Sequence, residues 1–167
     1  MKKAAKIAIY STFPLYVLLL IYALFLYSGR GYGAGFSLSE YIKYCINIIP
    51  FKSIVLYVGA LFTDSMNIET PIANLLGNLL FFLPMGLYLP CLFGRFRKFG
   101  GYIICILCIL IAVEAAQLLL RTGSFDIDDL ILNLAGACLG FWIFRKLVQV
   151  LFKQNENVVQ AESAPVE

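Results

Sequence analysis

The chain has 167 residues, 61% of them hydrophobic, with a mean hydropathy of +0.85 and a formal charge of +3. Soluble domains run at about 45–50% apolar on a comparable count, so this is the composition of an integral membrane protein. A charge this small reads as loop bias across a membrane and argues against nucleic acid as a partner. There is no histidine, which removes the commonest general base and metal ligand.

The first predicted span covers residues 7–27, preceded by Lys2, Lys3 and Lys6. The run is long for the apolar part of a signal peptide, and no clear small-x-small site follows it. A retained signal anchor is expected. Residues 39–47 read as a short amphipathic helix, and 47–51 (Asn-Ile-Ile-Pro-Phe) as a break. Residues 53–63 are apolar but too short to cross a bilayer, which takes about 20 residues. They are expected to lie at the interface or to re-enter the membrane. Residues 70–94 carry no charge and form the second span, with Pro84 marking a break where backbone carbonyls come free. Residues 99–120 form the third, interrupted only by Glu114, and 129–148 the fourth. The expected fold is all-α: a polytopic bundle of four transmembrane helices with a short interfacial or re-entrant segment between the first two. The membrane domain ends near residue 153, and the polar tail 154–167 is expected to be disordered.

The five cysteines fall mostly in apolar runs, and Cys105-x-x-Cys108 lies within Ile-Ile-Cys-Ile-Leu-Cys-Ile. Redox or metal chemistry needs a polar, accessible setting, so these are read as small packing residues. Lys2, Lys3, Lys6, Arg95, Arg97, Lys98, Arg145, Lys146 and Lys153 share one side of the four-span scheme. Arg30, Lys43, Lys52 and Arg121 share the other. Cations concentrate on the cytoplasmic side. Both termini are therefore expected in the cytoplasm, and the connector 121–129 outside.

That connector, Arg-Thr-Gly-Ser-Phe-Asp-Ile-Asp-Asp, gathers Arg121, Asp126, Asp128 and Asp129 beside the apolar spans. Glu114 lies within the third span, where a charge costs at least roughly 2.5–3.5 kcal/mol. Glu114, Gln117 and Arg121 are spaced to share one helical face, as are Asp129, Asn133, Gly136 and Gly140, and Asn74, Gly77 and Asn78. Three stripes turned inward would surround one outward pocket. Plainer readings are open at each position. Gly136-x-x-x-Gly140 suits close helix packing, and the asparagines suit interhelical hydrogen bonds. Asp126 or Asp128 suits an N-cap of the fourth helix, and Glu114 with Arg121 suits a structural ion pair. One aspartate is enough for a cap, and the connector has three within four residues. Hard oxygen ligands at Asp126, Asp128 and Asp129 would suit calcium or magnesium.

Asn47-Ile-Ile-Pro-Phe51, Asn74-x-x-Gly-Asn78 with Phe81-Phe-x-Pro84-x-Gly86, Glu114-x-x-Gln117 and Asp126-x-Asp128-Asp129-x-x-x-Asn133-x-x-Gly136-x-x-x-Gly140 stand in this order. The ordered set resembles the VanZ-like family over about residues 45–142. The resemblance implies a multi-pass protein of a bacterial cytoplasmic membrane with a cell-envelope role, and the family's naming member is associated with teicoplanin resistance. It implies characteristic polar positions at Asn74, Asn78, Glu114, Gln117, Arg121, Asp126, Asp128, Asp129 and Asn133. The expected activity is reduced susceptibility to teicoplanin-type lipoglycopeptides. It would act at the outer face through a pocket binding a lipid-linked cell-wall precursor or the antibiotic, among membrane lipids. Two other classes stand beside it. One is a membrane enzyme acting on a lipid-linked phosphate, with Glu114 as acid or base and a divalent cation on the aspartates. The other is a small lipid transporter with Glu114 as proton relay.

Overall fold

In a computed structural model, residues 3–27, 35–63 and 65–162 are described. Four helical segments are long and apolar enough to cross a membrane: Ile7–Leu26, Glu69–Leu92, Phe99–Leu120 and Ile127–Gln149. The expected all-α, four-span bundle is what forms. Helix α1 (Lys3–Ile21) passes into a π-helical turn, Tyr22–Tyr27. Helix α2 (Leu38–Tyr44) opens on a capping box, in which Ser37 accepts from the Glu40 amide and Glu40 reaches back to the Ser37 amide. The Ser37 hydroxyl and amide hold the exposed Glu40 carboxyl below its usual range.

The second span is broken. Helix α4 (Glu69–Phe81) stops, and α5 (Met85–Leu92) restarts after Pro84, because proline cannot donate to the preceding turn. The Phe81 carbonyl at the break accepts from the Tyr16 hydroxyl at 2.7 Å. The break therefore binds another span rather than presenting a free ligand group at that carbonyl. Helix α6 (Phe99–Leu120) is unbroken. Helix α7 (Ile127–Glu162) contains the fourth span and runs on to Glu162. The polar tail from 154 lies within α7 as far as residue 162, and residues 163–167 lie outside the described residues. No glycine or proline stands between Gly140 and Pro165, so no helix-breaking residue interrupts α7.

The core is a cluster from α1, α5, α6 and α7 that includes Leu20, Met85, Ile106, Leu110 and Phe141. The glycine pair packs as expected. A Cβ at Gly136 would stand 1.8 Å from the Leu79 carbonyl oxygen, and one at Gly140 1.9 Å from that of Leu83. Gly86 of α5 abuts the Gly140 backbone in turn, at 2.1 Å from a built Cβ. Only hydrogen fits at these crossings, so α7 lies backbone to backbone along α4 and α5. Cys105 packs at the edge of the core and Cys108 is exposed, both as free thiols.

Helices α6 and α7 run antiparallel in step. Phe99 lies beside Trp142 with ring centroids 5.8 Å apart, and the Tyr102 hydroxyl donates to the Ala137 carbonyl at 2.9 Å. At the other end the Asp126 amide donates to Glu114. Helix α6 then continues six residues past Glu114 to Leu120, about 9 Å at 1.5 Å per residue. The chain from Arg121 must come back by that distance before α7 starts. The start of α7 is therefore recessed below the end of α6.

Candidate functional site

Two short strands meet at this recessed start of α7. β1 (Ile46–Asn47) pairs in parallel with β2 (Phe125–Asp126), and the Phe125 amide donates to the Cys45 carbonyl at 2.8 Å. Both strands lead inward from the same end. β2 enters α7, and β1 enters the turn at Pro50 and Phe51, where Phe51 takes φ 65°. Helix α3 (Lys52–Thr63) starts there and packs along α4.

The aspartates hold these two helix starts. Asp126 caps α7, its Oδ1 accepting from the Asp128 amide at 2.9 Å. Its carboxylate also accepts from Asn47 Nδ2 at 3.0 Å and from Ser53 Oγ at 2.5 Å. Asp128 does not serve its own helix. Its carboxylate accepts from the amides of Phe51 at 2.6 Å, Ser53 at 2.7 Å and Ile54 at 3.1 Å. These are the orphan donors of the first turn of α3, which has no capping residue of its own, since Phe51 precedes it. Asp128 is fully buried and caps α3 from 74 or more positions away in the chain. Asp129 accepts from Asn78 Nδ2 of α4.

The surplus of acids in the connector therefore has a structural account: one caps α7, one caps α3 and one ties α7 to α4. Asp126, Asp128 and Asp129 are not assembled as a calcium or magnesium site. Among the described residues no group of three or more acids, cysteines or histidines is arranged to hold a metal ion. The oxygens of Asp126 and Asp128 are already engaged by protein donors.

Arg121 also departs from expectation. It does not continue the face of Glu114 and Gln117, because α6 ends at Leu120 and Arg121 takes the left-handed conformation, φ 57°. The Thr122 amide donates to the Gln117 carbonyl and the Arg121 amide to that of Leu118, which is a Schellman close with arginine where glycine is usual. The Arg121 guanidinium donates to the Phe36 carbonyl at 3.1 Å and lies 5.7 Å from the centre of the Tyr41 ring. Its contacts are thus with the segment leading into α2, not with Glu114. Asn74 bonds within its own helix, to the Thr70 carbonyl, and takes no part in the cluster.

What remains is an inner group of acceptors. Glu114 is only 3% exposed, and its Oε2 accepts from the Asp126 amide at 3.1 Å. The carboxylates of Asp126 and Asp129 lie within Coulomb range of it. Gln117 is buried, and its Nε2 donates to the Leu24 carbonyl at 2.8 Å, in the π-helical turn of the first span. Such turns leave backbone carbonyls outside the regular ladder. Asn133 is 2% exposed, one helical turn from Asp129, and its Oδ1 is enclosed without any donor. It lies between Asp129, bound to Asn78, and Gly136, pressed on Leu79.

The model of one protein family, described as VanZ/LLP1, matches residues 13–152. The chain belongs to the VanZ/LLP1 family. The match includes every polar residue of this site. No curated protein and no solved structure matches the chain.

Residues that sequence reasoning passed over are Ser53 and Tyr41. Ser53 bridges Asp126 and Asp128, and the Tyr41 hydroxyl fixes the connector through the Gly123 carbonyl at 2.7 Å. Asn47 stood in a motif but had no assigned role, and it proves to be the second side-chain partner of Asp126. The one available signal was the missing cap of α3, which requires an acceptor from elsewhere.

Proposed function

We propose that this protein binds a lipid-anchored cell-envelope molecule in the recess and thereby lowers susceptibility to teicoplanin-type lipoglycopeptides. The observation that carries the binding reading is Asn133. A buried acceptor without a donor costs about 1–3 kcal/mol, and this one lies one helical turn from Asp129 on α7. A group rich in donors, such as the hydroxyls of a sugar or an ammonium, would satisfy it together with the Asp129 carboxylate. Membership of a VanZ family supports the cell-envelope setting. The cation bias supports an outward recess and cytoplasmic termini, in the cytoplasmic membrane of a bacterium. Teicoplanin carries an acyl chain and targets lipid-linked wall precursor at that face, so either is a fitting partner.

The test is a teicoplanin susceptibility assay with Glu114→Gln and Asn133→Leu, paired with the amount of each protein in the membrane. Loss of protection with folded protein retained supports the reading, and full protection by both variants overturns it. Lipids co-purifying with the native protein and lost from both variants would identify the ligand class.

A further inference from the structure

The depth of the recessed α7 start relative to the bilayer can be read from the helix register. At the cationic end Phe99 is level with Trp142, and Arg95, Arg97 and Arg145 lie just beyond. That level marks one edge of the hydrocarbon. From it α6 extends 21 residues to Leu120, about 31 Å, which matches a hydrocarbon core of about 30 Å. Helix α7 extends only 15 residues from Trp142 back to Ile127, about 22 Å. It starts about 8 Å short of the opposite edge.

The turn at 47–54 is tied to that start by Asp126 and Asp128, so it sits at the same depth. The chain reaches it through α2 and β1 and leaves through α3. Helix α3 leads back to Glu69, nine residues above Asn78 on α4, about 13 Å above the Asp129 level. Entry and exit are therefore at the same end of the bundle. The side chains at the bottom that face away from the protein are apolar: Ile48 (70% exposed), Ile49, Phe51 and Val55. Its polar backbone groups at Phe51, Ser53 and Ile54 face the Asp128 carboxylate. Irregular backbone is tolerated at membrane depth where its polar groups are satisfied within the protein. Lys52 is the exposed cation at this depth, and its stem is long enough to return the ammonium to the headgroup layer.

We infer that residues 46–63 form a re-entrant hairpin whose outer side, at Ile48, Ile49, Phe51 and Val55, is a contact surface for the acyl chains of one membrane leaflet. The partner is lipid hydrocarbon rather than a second protein, because the surface lies below the bilayer edge by register. The capped helix starts thus lie beneath the headgroup layer, walled on this side by the hairpin. This inference does not depend on what the recess binds.

The test uses the single native tryptophan. In a Trp142→Phe background, tryptophan is placed at Ile49 or, separately, at Val55, with Ile111 of α6 as the mid-span reference. The proteins are reconstituted in phosphatidylcholine vesicles. Lipids brominated on the acyl chains should quench both positions as strongly as Ile111→Trp, and aqueous iodide should quench them several-fold less than it quenches Ser124→Trp. Strong iodide quenching without bromolipid quenching would place the hairpin in water and overturn the inference. A second measurement covers variants that fail to fold. Ser39→Cys and Ser65→Cys, with native cysteines removed, should be labelled by an impermeant reagent from the same side. Labelling from opposite sides would show that the segment spans, and would equally overturn it.

Discussion

Asp128 and Asn133 stand five residues apart on α7, and both are almost completely buried. Asp128 is saturated, with three backbone N–H groups on its two oxygens. Asn133 Oδ1 has none. Burial of a polar group therefore does not by itself mark function. A buried group with all its bonds made holds the fold, whereas one left without a donor is the better candidate to meet a ligand.

The largest expected effect breaks the saturated side. Asp128→Ala leaves three partly buried donors unpaired, at about 1–3 kcal/mol each where water does not reach them. The variant should fail to accumulate in the membrane, or should unfold at much lower temperature in detergent. Asp128→Asn keeps one acceptor oxygen and should lose roughly half as much, about 2–4 kcal/mol. Normal thermal stability in Asp128→Ala would show that the cap of α3 contributes little.

Smaller and opposite in sign is the effect at the unsaturated side. Asn133→Leu removes an unmatched acceptor without changing volume greatly, so thermal stability should stay level or rise by about 1 kcal/mol. Teicoplanin protection should fall. Glu114→Gln retains an oxygen for the Asp126 amide and should likewise separate protection from stability. Destabilisation of Asn133→Leu by several kcal/mol would mean that its oxygen is already paired.

Arg121 sharpens the comparison at about 1 kcal/mol. Its left-handed backbone costs about 1–2 kcal/mol for a residue with a Cβ, offset by its hydrogen bond to the Phe36 carbonyl and its cation–π contact with the Tyr41 ring. Arg121→Gly should change stability little, because it loses those bonds and the strain together. Arg121→Ala loses the bonds alone and should be less stable than Arg121→Gly by about 1 kcal/mol. The smallest effect is expected from cations. Melting in EDTA and in millimolar calcium or magnesium should agree, because the Asp126 and Asp128 oxygens are occupied. A rise that Asp128→Asn abolishes would restore a metal site.

Much of the candidate site was legible as composition. A carboxylate in an apolar span and a cluster of acids beside it are visible in any reading of 114–133. Their division of labour was not. Asp128 serves Phe51, Ser53 and Ile54, and nothing near Asp128 in the chain indicates that partnership. Arg121 fits the face of Glu114 on a helical wheel, but the wheel continues only if the helix does. The turn at Arg121 comes without a glycine at that position, and its side chain is held by residues far upstream.

Local chemistry determined what each segment can be. Apolar runs of sufficient length become spans because a bilayer leaves the backbone no other way to satisfy its polar groups. Pro84 interrupts one of them because it lacks an N–H, and Gly136 with Gly140 permits contact because neither has a Cβ. The length of 53–63 argued for an interfacial or re-entrant segment over a crossing. Only the tertiary structure decided how deep these pieces lie and which polar groups are spent. Depth depends on the register between α6 and α7, set by packing across the bundle. Whether an acceptor is free depends on donors brought from other helices, and those distances are long-range properties of the folded chain.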